Sequence, residues 1–293
     1  MRCKDAGSVQ IESWALPRTK QRAAERAPAA SCFILKPVPS HVLAAARQAR
    51  SLEETAHRPW PLPDEPWALA QSLSDQLFLH WPVPADKLRP LLPPEIEVDT
   101  FAGEAWLGIT AFAVSTLRVR GTLPLPFVSS FLQMNVRTYV TASGAPGIWF
   151  LSLDVSSPFA HAAGRWLYEL PLHRARISLT RRGNRLDVSL TRRDHAAPPL
   201  VLEAHLEAFG PAVRPPPGSL EHFLTERYRV YMKARGRFWQ AELHHRPWSL
   251  RQARGRIEPN SIGPGGLEFP EVALYHVSSQ MDTLLWPRQP VAV

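Results

Sequence analysis

Proline sets the first limit on this chain. Thirty of its 293 residues are proline, about twice the usual frequency, and a proline ends a helix and is barred from a central strand. Many short elements joined by stiff turns follow, which favours a β-rich architecture. With 45% apolar residues, the chain can build one large domain or two small ones around a proper core.

Composition then removes several function classes. No run approaches the roughly 18 to 20 apolar residues of a membrane-spanning helix, and the N-terminus lacks the apolar region of a signal peptide. A cytosolic location with no membrane partner is expected. Cys3 and Cys32 have neither C-x-x-C spacing nor further partners, which excludes a disulfide framework and a zinc-cysteine site. The net charge of +8 would suit nucleic acid, but residues 1–60 carry ten Lys/Arg against five acids. The remainder is nearly neutral, and no nucleic-acid partner is expected.

Residues 1–66 are rich in Ala, Arg and Pro and end in "HRPWPLPDEPW". They read as a loosely ordered extension with one helix in "SHVLAAARQARSLEETAHR"; their acids are not depleted as in a targeting peptide. Residues 67–293 read as a single domain. Its apolar runs predict strands over 75–81, 96–101, 105–117, 131–142, 147–155, 173–181, 185–193, 200–208 and 271–286. A hairpin with its turn at Ala234–Gly236 falls within 227–243, and helices are expected over 84–93, 158–168 and 219–227. No βαβ alternation is visible, so the expected fold is an antiparallel β sandwich or barrel with a few covering helices.

In "FLQMNVRTYV" a period of two places Gln133, Asn135, Arg137 and Tyr139 on one face and Leu132, Met134, Val136 and Val140 on the other. That polar face is either a wet sheet surface or the wall of a polar cavity, where a guanidinium offers a bidentate site for a carboxylate. In "RWLYELPLHRAR", alternation puts His173 with Ala175, Ile177 and Leu179, which turns it inward and Leu172 outward. His173 is then a core histidine or a catalyst, and Arg165 either reaches the same cavity or snorkels to solvent. "LHHRPW" places His244 and His245 on opposite faces of a strand, which argues against a metal site. The arginines around Arg181 to Arg193 read as a solvated edge that blocks strand addition. "GPGG" at 263–266 is a turn. No G-x-S-x-G elbow, P-loop or G-x-G-x-x-G is present, and no cofactor is expected.

The ordered series "LFLHWPVPADKLRPLLP", "FAGEAWLGITAF", "FLQMNVRTYV", "GIWFLSLD", "LTERYRVY" and "LHHRPW" resembles the YqjF-like family, a domain of unknown function, from about Trp67 to Trp286. That family belongs to the acetoacetate-decarboxylase-like superfamily, and the resemblance implies a β-rich barrel around a small-molecule cavity. Decarboxylases of the superfamily use a lysine that forms a Schiff base. Against their motif, Gly164, Arg165 and Pro171 match in outline, but Leu172 and His173 stand at the lysine positions. The family's usual acid is replaced by Gln133, and none of the five lysines restores an imine mechanism. The expectation is therefore a protein that binds a small organic acid or oxo compound. Arg137 and Arg165 would contact the anion, and Gln133, Asn135, Tyr139 and His173 would orient it. The alternatives are a lyase or isomerase with His173 as general base, and a non-catalytic protein-interaction domain. Homo-oligomerisation stays open.

Overall fold

The computed structural model describes residues 40–125, 128–167, 170, 172–195, 197–258 and 274–291. In chain order the elements are α1 (Ser40–Arg50), β1 (Leu69–Val83), α2 (Ala85–Leu88), β2 (Glu97–Val98), β3 (Thr100–Phe101), β4 (Glu104–Val119), β5 (Phe131–Ala142), β6 (Ala145–Val155), α3 (Pro158–Leu167), β7 (Leu172–Arg182), β8 (Arg185–Arg192), β9 (Val201–Val213), α4 (Leu220–Thr225), β10 (Arg229–Ala234), β11 (Arg237–His244), β12 (Leu250–Ile257), β13 (Leu274–Leu285) and β14 (Gln289–Pro290). Residues 1–39, the "GPGG" turn and the start of the last expected strand, 271–273, lie outside the described residues.

The expected β-rich class is what the chain forms, and the pairings show how. β6, β7, β8, β9, β12, β13, β1, β4 and β5 pair in succession, and β5 pairs back to β6. A second circuit leaves β6 through β10 and β11 and returns by β13. The two circuits share β1, β4, β5, β6 and β13. β6 pairs in parallel with both β7 and β10, against the expectation of a wholly antiparallel sheet. The route from β6 to β7 runs through α3, and such a crossover delivers its second strand in parallel.

Alternation along the shared strands gives each circuit its own interior. Leu77, Leu79, Ile109, Met134 and Val136 pack with Leu186, Leu190, Leu202 and Val277 in the main apolar core. Their alternate neighbours, among them Phe78, Thr110, Asn135 and Arg137, turn into the second circuit. Both faces of the shared wall are therefore used. This explains why "LFLHW" and "AWLGITAF" read as continuous apolar runs and not as clean alternations.

Part of the presumed loose extension is packed. On α1, Ala44 and Gln48 are buried, and Gln48 Nε2 donates to Ser72 Oγ at 3.3 Å while Arg47 pairs with Asp282. Further on, Arg58 donates to Glu242 Oε2 at 2.9 Å and to the Leu243 carbonyl at 2.8 Å. Residues 40–66 thus join the body of the domain, because a few buried polar side chains fix them where their apolar pattern is too weak to be read. Helix 84–93 is shorter than expected, an α turn at 85–88 followed by a 3-10 turn. α4 starts where Ser219 Oγ accepts from the His222 amide at 3.2 Å, an N-cap.

Candidate functional site

The second circuit encloses a cavity of about 470 Å³, within the range of small-molecule sites. β1 contributes Gln76 and Phe78, β4 Thr110 and Phe112, β5 Gln133, Asn135 and Arg137, and β6 Ile148 and Phe150. β10, β11 and β13 add Val230, Met232, Leu243 and Thr283, while His245 and Trp248 enter from the segment after β11. The polar face expected on β5 is therefore a cavity wall for three of its four residues.

Arg137 is the central group. Its Nη2 donates to the Leu224 carbonyl at 3.0 Å, which anchors the guanidinium against α4. Its Nε is buried without a hydrogen-bond partner, and among the described residues no carboxylate pairs with it. Such a group is costly to bury unless a ligand or water answers it. Beside it, Thr110 Oγ1 donates to Asn135 Oδ1 at 2.7 Å, so the amide NH2 is what Asn135 has left to offer. The other cations on the wall are already engaged. Arg227 donates to Asp99 Oδ2 at 2.6 Å, and Arg118 donates to Gln48 Oε1 at 2.7 Å.

Below Arg137 lies His80, fully buried, with both ring nitrogens unpartnered. Burial first, then the charge of Arg137 and then His276, hold its pKa well below the ordinary histidine value, so the ring is neutral. Gly108 is the residue that leaves it room. A Cβ there would stand 3.0 Å from the His80 ring and 3.1 Å from the Tyr139 hydroxyl.

Four sequence expectations are corrected. Tyr139 is fully buried and does not line the cavity; its hydroxyl donates to the Leu224 carbonyl at 2.9 Å, so it supports the floor with Arg137. Arg165 is exposed and lies outside the lining, because its position on α3 faces solvent while Ala160 and Gly164, partly buried, border the cavity. His173 is also away from the cavity, and its Nδ1 lies 2.9 Å from Asp194 Oδ2. Its alternation with Ala175, Ile177 and Leu179 holds, but that face belongs to the main core circuit. Leu172, expected outward, is buried in the cavity wall with Leu153 and Val155.

His245 is the histidine that lines the cavity, and sequence reasoning passed over it as a strand residue. Its ring stacks on Tyr228 at 4.8 Å between centroids, its Nδ1 is 2.7 Å from the Arg246 carbonyl, and Glu226 lies 4.0 Å away. Burial is the first cause of its lowered pKa. Glu226 accepts from the Tyr228 hydroxyl and, at 2.8 Å, from the Trp248 amide. Among the described residues no lysine lines the cavity, and no group of three or more His, Cys, Asp or Glu is placed to hold a metal ion. Lys233 pairs with Glu95 at 2.7 Å and Lys87 is exposed. Lys4, Lys20 and Lys36 lie outside the described residues.

Comparison with solved structures gives the fold its relatives. The enduracididine biosynthesis enzyme MppR complexed with pyruvate matches with a TM-score of 0.57 and 15% identity, over 82% of this chain and 95% of that one. Acetoacetate decarboxylase from Legionella pneumophila matches with a TM-score of 0.55 and 15% identity, over 81% of this chain and 93% of that one. At such identities the likeness is one of fold. In sequence, the uncharacterized protein YqjF of Bacillus subtilis (strain 168) is 36% identical over 232 residues, 77% of this chain and 93% of that protein. The model of the DUF2071 family, described as an uncharacterized conserved protein, matches residues 70–282. With its acetoacetate-decarboxylase-like fold and its likeness to YqjF, the chain belongs to the DUF2071 family.

Proposed function

We propose that this protein binds a small organic acid or oxo compound in the cavity of the second circuit, with Arg137 as the anion contact and Asn135 and Gln133 as orienting groups. The observation that carries this is the buried, partnerless Nε of Arg137 on a cavity wall. A carboxylate there would complete a charge-assisted hydrogen bond in a poorly solvated setting. The neighbours lend support, since MppR is complexed with pyruvate and the decarboxylases are named for a keto acid. An imine mechanism is not part of the proposal, because Leu172 occupies the position at which the resemblance would put a lysine.

A second reading is proton transfer to or from the bound acid, and it draws on His245, a cavity histidine set beside Glu226 and Tyr228. It requires turnover that His245→Asn abolishes while binding persists.

The binding reading is tested by thermal shift of the full chain with pyruvate, acetoacetate and octanoate and with their uncharged amides. At about 100 times its dissociation constant a true ligand adds roughly 2.7 kcal/mol of stability. Stabilisation by at least one of the acids, absent with its amide and lost in Arg137→Ala, is the expected result. Equal shifts with acids and amides, or an unchanged response in Arg137→Ala, would refute it.

A further inference from the structure

We infer that the acid bound at Arg137 is a monocarboxylate with a long apolar body, of the kind presented by a medium-chain alkyl acid, and not a keto acid of three or four carbons. This rests on the anion reading above and goes further by naming the ligand class.

Size is the first ground. A volume of about 470 Å³ at the roughly 30 Å³ a water takes in the liquid has room for on the order of fifteen non-hydrogen atoms. Pyruvate has six. A ligand of that size would leave most of the volume to water held against hydrocarbon.

Wall chemistry is the second. Beyond the row that holds Thr110 and Asn135, the lining passes to Leu153, Val155, Leu172 and Phe131, a cluster around the end of β6 and the start of β7. It ends at Leu123 and Leu125, which are 58% and 65% exposed and belong to the same lining. From Arg137 to Phe131 is six residues of β5, about 20 Å at the rise of a strand. The apolar track therefore reaches the surface, and a tail has somewhere to lie.

Charge is the third. Arg227 is ion-paired with Asp99, Arg118 gives its Nε to Gln48 and lies over the Trp67 ring, and the one carboxylate among the described lining residues, Glu242, accepts from both Arg58 and Arg229. Among the described lining residues, Arg137 is the guanidinium with a buried donor left over to meet an anion. One negative head is matched, and a second charge further along the molecule would be buried among leucines without an answer.

The test is calorimetric titration of the full chain with pyruvate, hexanoate, octanoate, decanoate, methyl octanoate and suberate, each below its micelle threshold. Affinity should rise roughly fourfold per methylene, the ratio set by about 0.8 kcal/mol per buried CH2, until the cavity is full. Octanoate should bind at least tenfold tighter than suberate, than its methyl ester, and than it binds to Arg137→Met. Because Arg137→Met also loses the bond to Leu224, the ester comparison on the unmodified protein stands as an independent measure of the charge. Pyruvate binding as tightly as octanoate, with both weakened by Arg137→Met, would overturn the long-tail inference and leave the anion site standing. No binding by any acid, or octanoate and its ester binding alike, would overturn both.

Discussion

At the scale of single residues, the clearest lesson is that parity along a strand is legible and the identity of a face is not. Gln133, Asn135 and Arg137 were readable as one wall because an unbroken polar row is rare on a strand whose other face is Met134 and Val136. His173 had its parity right, yet its face packs on the main core, while of the opposite face Leu172 enters the cavity wall and Arg174 and Arg176 stay exposed. Histidine placement also governs the response to acid. Burial lowers the pKa of His80, His245 and His276, and it lowers that of His244 to about 4. The unfolded chain binds a proton at each near pH 6.5, so between 6.5 and 4 it holds more protons than the folded protein. The stabilisation is complete above pH 6.5 and is lost as pH falls toward 4. For His244 alone the loss is on the order of 3 kcal/mol. Urea titrations from pH 7 to 5 should show falling stability, and His244→Asn should remove up to about one proton of the uptake on unfolding. An unchanged slope in that variant would place the titration elsewhere.

Elements were legible where apolar residues alternate between turn signals and lost where pairing alone holds them. β12, "LRQARGRI", was missed because three arginines interrupt it. It is a strand only because Ala253 sits between Ala208 of β9 and Tyr275 of β13, two partners far away in sequence. β1 was read eight residues too short. A bulge at Asp75, whose φ is 50°, shifts the register between Ser74 and Leu77. Leu73 and Gln76, three apart, consequently both face the cavity, which no period of two predicts. The segment before β1 shows the same limit. Arg58 has 1% of its side chain exposed and bonds Glu242, which also accepts from Trp60 Nε1 at 2.8 Å. Removing one partner of a buried ion pair costs about 3 to 5 kcal/mol. A chain starting at residue 67 should melt well below one starting at residue 40. Equal melting temperatures for the two truncations would show that the arm adds nothing to the fold.

For the whole molecule, the shared wall decides how it unfolds. The nine-strand circuit holds the main core and the seven-strand circuit holds the cavity, but β1, β4, β5, β6 and β13 belong to both. Loss of the shared wall opens both circuits at once, because Met134 and Val136 pack on one side of β5 while Asn135 and Arg137 line the other. Nothing in the residue pattern announces two circuits; that closure depends on the few pairs joining β10 to β6 and β11 to β13. A single cooperative transition follows, in spite of a chain length that would accommodate two domains. Leu190 tests this, since it lies on β8 outside the cavity circuit and is 1% exposed in the main core. Leu190→Ala should cost about 2 to 5 kcal/mol and move the melt by about 5 to 15 °C. Far-UV circular dichroism and tryptophan fluorescence should shift together, with the calorimetric and van't Hoff enthalpies equal. If the variant instead melts in two steps and only one of them moves, the circuits are separate cooperative units and the shared wall does not couple the core to the site.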